Sequence, residues 1–223
     1  MNRRNFMMTT ALAALGVGGA YIYTSKPQVT DFLVEPASAQ DAADVDTSMV
    51  KDLVMGEADA PIELIEYASY TCPHCANFHA TVFEQLKENY IDTGKVRFVY
   101  REVYFDKYGL WAAMVARCGG DLRYFGIQGM LYEQQQDWIA GGKDAMEIVE
   151  NLRTIGKKAG LSDADLDACM NDGAMAQAMV AKFEREVAEY DVSGTPTLII
   201  NGEKNSNMSY DDLAQKLDAL LEA

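Results

Sequence analysis

The sequence predicts an α/β fold interrupted by a block of helices. Three observations predict it. An apolar run at 62–67 ends at Cys72-Pro73-His74-Cys75, where a helical pattern takes over. A second strand-like run lies at 96–103, and a third begins at Leu198, directly after Gly194-Thr195-Pro196-Thr197. Between these two, from about 107 to 190, there is no proline and helical patterns succeed one another. A strand–helix–strand unit at the front and a strand and helix at the back can share one sheet, with the other helices inserted.

The elements follow in order. Arg3-Arg4 precede an apolar stretch from Phe6 to Tyr23, and Ala37-Ser38-Ala39 fits a small-residue cleavage site. Residues 1–39 are therefore expected to be an export signal, with an uncleaved membrane anchor as the alternative. The start, Asn2 to Met7, resembles a twin-arginine signal. Pro27, Pro36 and many Ala, Asp and Ser make 24–50 a linker or tether. The expected division is 40–56 as linker or N-terminal extension, 57–106 with 191–223 as the sheet-bearing domain, and 107–190 as the helical insertion.

Within that division a strand at 62–68 leads to a helix from Pro73 to about Tyr90. Phe78, Val82, Phe83, Leu86 and Tyr90 recur along it at helical spacing. Asp92-Thr93-Gly94 is a turn before the second strand. In the insertion Trp111, Met114, Val115 and Cys118 share one face, and Met146, Val149 and Leu152 another. Leu166, Cys169 and Met170 share a third, in a helix capped by Ser162. A strand and turn at 198–202 follow. Ser209 with Asp212 resembles a capping box, and Leu213, Leu217 and Leu220 form the face of a last helix.

Composition bounds the rest. Hydrophobic content of 49% supports a packed core. Nineteen Lys and Arg against 34 Asp and Glu give a net charge of -15, which repels nucleic acid and favours solubility.

The chemistry lies in Cys72-Pro73-His74-Cys75. Pro73 suits the first helical position, where no backbone N–H is needed. Cys72 is then the helix N-cap, facing unpaired N–H groups and the positive dipole end. A thiolate is stabilised there, so its pKa should fall below the free value of about 8.5. Cys75, one turn inside, would be covered and act as the resolving thiol. A four-cysteine zinc site lacks a second close pair, and a c-type haem would need His where Ala76 stands. No metal is expected. A purely structural pair is the bland alternative. Copper binding through the exposed pair, or a chaperone surface, is the non-enzymatic one.

Glu66, Tyr70 to Cys75, the helical block and Gly194-Thr195-Pro196-Thr197 together resemble the DsbA family of periplasmic thiol–disulfide oxidoreductases, within the thioredoxin-like superfamily. The likeness runs from about residue 57 to the C-terminus. It implies a thioredoxin-like fold with an inserted all-helical subdomain. It implies a cis Pro196 beside Cys72, with the backbone of Thr195 free to pair with an extended substrate. The ordinary trans proline at a strand start is the alternative. It also implies that Glu66 lies beneath the resolving cysteine and moves its proton. Glu66 shares a strand face with Ile62 and Leu64, and a buried carboxylate can serve as a base; a partly solvated strand acid is the alternative. His74, as a cation, would stabilise the Cys72 thiolate and make the disulfide more oxidising. His79 is expected as a half-buried structural residue.

The activity so implied is disulfide formation in exported proteins, with no cofactor beyond the Cys72–Cys75 disulfide. Implied partners are reduced exported proteins and a DsbB-like membrane quinone reductase that reoxidises the pair; the chain is expected to be a monomer in the periplasm. Thr195 before the proline keeps an isomerase or reductase open. In that oxidising compartment Cys118 and Cys169 are expected to form a structural disulfide, a redox role for them staying open.

Overall fold

The computed structural model describes residues 45–142 and 144–223; the export signal read over 1–39 lies outside them. Its centre is a five-stranded sheet of order β1-β3-β2-β4-β5. The strands are β1 (Leu53–Met55), β2 (Ile62–Ala68), β3 (Val96–Glu102), β4 (Thr197–Ile200) and β5 (Glu203–Ser206). β2 pairs parallel with β3 and antiparallel with β4, and both outer strands pair antiparallel. The parallel pair is buried on both faces, which explains the near-continuous apolar reading of these two segments.

Two strands escape the sequence pattern. β1 lies in the stretch expected to be linker or extension, and β5 reads Glu203-Lys204-Asn205-Ser206. Both are short edge strands, set by the neighbour they pair with rather than by their own composition.

The helix after β2 is not uniform. α1 (Pro73–Phe78) and α2 (Glu84–Leu86) alternate with π-helical segments, His79–Phe83 and Lys87–Ile91. The helical block holds α3 (Lys107–Cys118), α4 (Gly120–Glu133), α5 (Gln135–Ala140), α6 (Ala145–Lys158) and α7 (Asp163–Met170). Then come α8 (Gly173–Glu189) and, at the end, α9 (Tyr210–Leu221). Among the described residues no helix is long and apolar enough to cross a membrane.

Caps bound these helices as side-chain chemistry predicts. Asp106 accepts from the N–H groups of Tyr108 and Gly109, and Asp144 from those of Met146 and Glu147. Ser162 and Asp165 form a reciprocal capping box. The expected stripe of α6 needs correction: Met146 is exposed, and the buried stripe is Ile148, Leu152 and Ile155 at helical spacing. Met146 lies in the first turn, ahead of the packed part. Likewise Leu213 and Leu217 of α9 are buried, but Leu220 sits in the last turn and is exposed.

The core is split by the sheet. One face, with the whole helical block, makes a continuous apolar cluster from Leu64 and Phe98 to Trp138 and Leu166. The other face buries Ile65, Tyr67, Val99 and Ile199 beneath Phe183 and Val187 of α8. Cys118 and Cys169 form a disulfide between α3 and α7, Cα atoms 5.7 Å apart, as expected. Block and sheet are also joined through a buried carboxylate. Glu102 accepts from the hydroxyls of Tyr104 and Tyr124 and is paired with Arg117 at 2.8 Å. Every oxygen of this charge is thereby answered, which a buried carboxylate requires.

Candidate active site

The pairing of Tyr67 with Thr197 brings Thr195 and Pro196 alongside the chain as it leaves β2. The Thr195–Pro196 bond is cis. Across this gap the Cys72 thiol donates to the Thr195 carbonyl at 3.4 Å. Cys72 and Cys75 are both free thiols, the first half-buried and the second fully buried.

Cys72 is the N-cap of α1, with extended backbone and Pro73 in the first turn. Its carbonyl accepts from the N–H groups of Cys75 at 3.1 Å and Ala76 at 3.2 Å, so the chain turns into the helix at this residue. The Cys72 pKa is pulled down to about 5. The hydrogen bond from the Cys75 thiol does most, against the opposing effect of burial. The Thr195 side chain and the N–H groups of Cys75 and His74 add to it. What His74 gives the thiolate here is its backbone N–H, while its ring stands exposed. The Thr195 hydroxyl is buried beside the thiol and has no other hydrogen-bond partner among the described residues. Cys75 is the opposite case. Burial, its hydrogen bond to Cys72 and the Glu66 charge all hold its pKa well above the ordinary thiol range.

Glu66 sits in the middle of the sheet, paired with Tyr100 on one side and Leu198 on the other, with no exposure. Its Oε2 lies 3.1 Å from His79 Nε2, and its Oε1 has no partner among the described residues. His79 differs from the half-buried residue expected. It is buried, and its ring is stacked between Tyr132 at 4.2 Å and Phe83 at 4.6 Å.

Gln135, Asp106 and Gly109 also hold the motif and were missed from sequence. The Gln135 amide, at the start of α5, donates to the carbonyls of Tyr70 at 2.8 Å and Cys72 at 3.0 Å. Thr71 donates to the α3 cap Asp106 at 2.8 Å. A Cβ on Gly109 would lie 3.4 Å from the Ser69 hydroxyl, so glycine lets α3 approach this loop closely. Only Asp106 carried a sequence signal, as an acidic residue opening a helical pattern. Among the described residues no group of three or more His, Cys, Asp or Glu is placed to hold a metal ion. The arrangement pairs an acidic, accessible thiol with a buried, weakly acidic one, which suits stepwise dithiol–disulfide exchange.

Comparison with known proteins identifies the family. The family model described as Thioredoxin matches residues 48–219. A Rickettsia typhi protein with the provisional name protein-disulfide oxidoreductase is 34% identical over 77% of this chain and 62% of its own length. The chain thus spans about three fifths of the length of this relative. The crystal structure of Wolbachia pipientis alpha-DsbA1 superposes with a TM-score of 0.71 at 27% identity, covering 77% of this chain and 91% of that one. BdbD from Bacillus subtilis shares the fold, with a TM-score of 0.68 at 22% identity over 77% of this chain and 94% of that one. The chain belongs to the thioredoxin family, in its DsbA-like branch, with the helical insertion of that branch.

Proposed function

We propose that the protein is a thiol–disulfide oxidase that introduces disulfide bonds into exported proteins in the periplasm. The observation that carries this is the asymmetry of the pair: Cys72 with its pKa near 5 at a helix N-terminus, Cys75 buried and held protonated. The name of the Rickettsia typhi relative points to the same chemistry.

In the oxidised protein a substrate thiolate attacks Cys72 Sγ and the Cys72–Cys75 bond breaks. Cys75 leaves as a thiolate and takes up a proton. Cys72 is then joined to the substrate, which lies along Thr195 and Pro196. A second substrate thiolate attacks the substrate sulfur of this mixed disulfide, and Cys72 leaves as a thiolate at low cost because its pKa is low. The substrate departs oxidised and the protein reduced by two electrons. Glu66, against Cys75, is the group that supplies the proton to its sulfur and later removes it. His74 and Pro73 set the helix entry that favours the Cys72 thiolate. The redox-active pair is the only cofactor this cycle needs. Reoxidation falls to a disulfide-bearing partner, by family likeness a DsbB-like quinone reductase of the membrane.

Equilibration with glutathione tests the direction. A reduction potential around -120 mV would mark a disulfide donor, and one near -270 mV a reductase, overturning the oxidase reading.

A further inference from the structure

A groove of about 900 Å³ opens between the helix that carries Cys75 and α4. His79 lines it, although only 7% of the residue is exposed. Gly126 and Gly129 line it too, and a Cβ on either would meet nothing within 4 Å, so this wall of α4 is bare. Gln128 Nε2, buried on the same wall, has no partner among the described residues. The other side of the His79 ring reaches Glu66, whose second carboxylate oxygen is also unpartnered and whose charge acts on Cys75. Cys75 and Glu66 have no exposure at all, so a proton on either needs a route to water.

We propose that His79 is that route: a relay residue that passes the Cys75 proton between Glu66 and the solvent of this groove. The inference rests on the reading of Cys72–Cys75 as a working dithiol. When Cys75 Sγ attacks Cys72 Sγ in a mixed disulfide, the Cys75–Cys72 bond forms and the outer sulfur leaves as a thiolate. The Cys75 proton passes to Glu66. Imidazole takes it at Nε2 and releases the one on Nδ1, so no group is left with a buried surplus charge. The reverse path protonates Cys75 when the disulfide opens. The stacked Phe83 and Tyr132 rings fix the imidazole against Glu66. The ionisable groups around it are Glu66 from β2, Tyr100 from β3, Tyr132 and Glu133 from α4, and Glu84 and Lys87 from its own helix. Lys87 is already paired with Asp92, and the two tyrosine hydroxyls are bonded to each other at 2.6 Å.

The test follows the two sulfur steps separately. Reduced protein is mixed with an aromatic disulfide whose released thiolate is coloured. Cys72 releases the first equivalent, and the attack of Cys75 on the mixed disulfide releases the second. If the wild-type protein never releases the second, the dithiol reading itself fails. If it does, His79→Phe keeps the ring stack and should leave the first release unchanged. The second release should slow about tenfold at neutral pH and rejoin the wild-type rate in alkali, where hydroxide takes the proton directly. His79→Ala should be slowed likewise and recover when imidazole is added, since the groove admits it. An unchanged second release overturns the relay. So does a slowing by the same factor at every pH with no response to imidazole, which packing alone would produce.

Discussion

The two cysteine pairs of this chain share one sequence and stand in opposite settings, one free and one bonded. Cys72, Cys118 and Cys169 are all half-buried, so exposure does not separate them. Position on the helix does. Cys72 caps the start of α1, where free N–H groups and the positive dipole end favour a thiolate. Cys118 is the last residue of α3 and Cys169 the last but one of α7, where carbonyls and the negative end disfavour one. One pair spans three residues and can open. The other spans 51 and joins two helix ends. The lesson is that the same thiol becomes reagent or fastening according to which helix end it occupies.

The largest expected effect tests this division directly. Cys72→Ser should reduce disulfide exchange to the uncatalysed rate, measured as oxidation of a reduced peptide. The Cys118→Ala/Cys169→Ala variant should stay within about twofold of wild type in the same assay. It should lose about 4 kcal/mol in denaturant unfolding, from a denatured chain no longer closed over a long loop. A variant with stability intact and exchange lost would assign the second pair to the chemistry and break the comparison.

A smaller effect is expected where the helical block grips the motif. Gln135→Ala leaves the carbonyls of Tyr70 and Cys72 without its amide and should cost about 2 kcal/mol in denaturant unfolding. Unchanged stability would show that water replaces the amide without loss.

The acidity of Cys72 should appear in stability as well as in rate. Its pKa in the folded, reduced protein is about 5, below the unfolded value near 9. Between these values the unfolded chain binds the extra proton, so stability rises with pH from about 5 upward and is lost as pH falls back through 5. At pH 7 the reduced form should gain about 1–2 kcal/mol from this group, after discounting for its exposure. Unfolding of reduced protein and of Cys72→Ser at pH 5 and pH 7 measures it, and an equal gap at both would refute it. The smallest effect, about 1 kcal/mol of stability, is expected for Asp106→Ala, which removes the α3 cap and its bond from Thr71.

Much of the sheet was legible because β2 and β3 are buried on both faces and read as apolar runs. The reactive pair was legible because Pro73 marks a helix start. β1 and β5 were not, since their strand character comes from a neighbour. Nor was Gln135, a polar residue 63 positions from the carbonyl it holds. Its role exists only once the block has folded back on the sheet. Glu66 showed its burial through strand alternation, but its partner His79 did not, because the helix carrying it changes pitch at that residue.

That change of pitch has a consequence for insertions and deletions. A π-helical turn is an α-helical turn with a residue to spare. The segment His79–Phe83 therefore separates two registers along one rod. Ahead of it Cys75 and Phe78 face the chemistry, and behind it Leu86 and Tyr90 face the core. Deleting one residue within it would restore regular pitch and leave the two halves facing nearly as before, whereas a deletion in the regular turns would swing one half about 100° against the other. No single rotation would then satisfy both halves. Side chains can change along this helix, but a residue can be lost without turning one half off its face only where a π-helical turn has one to spare.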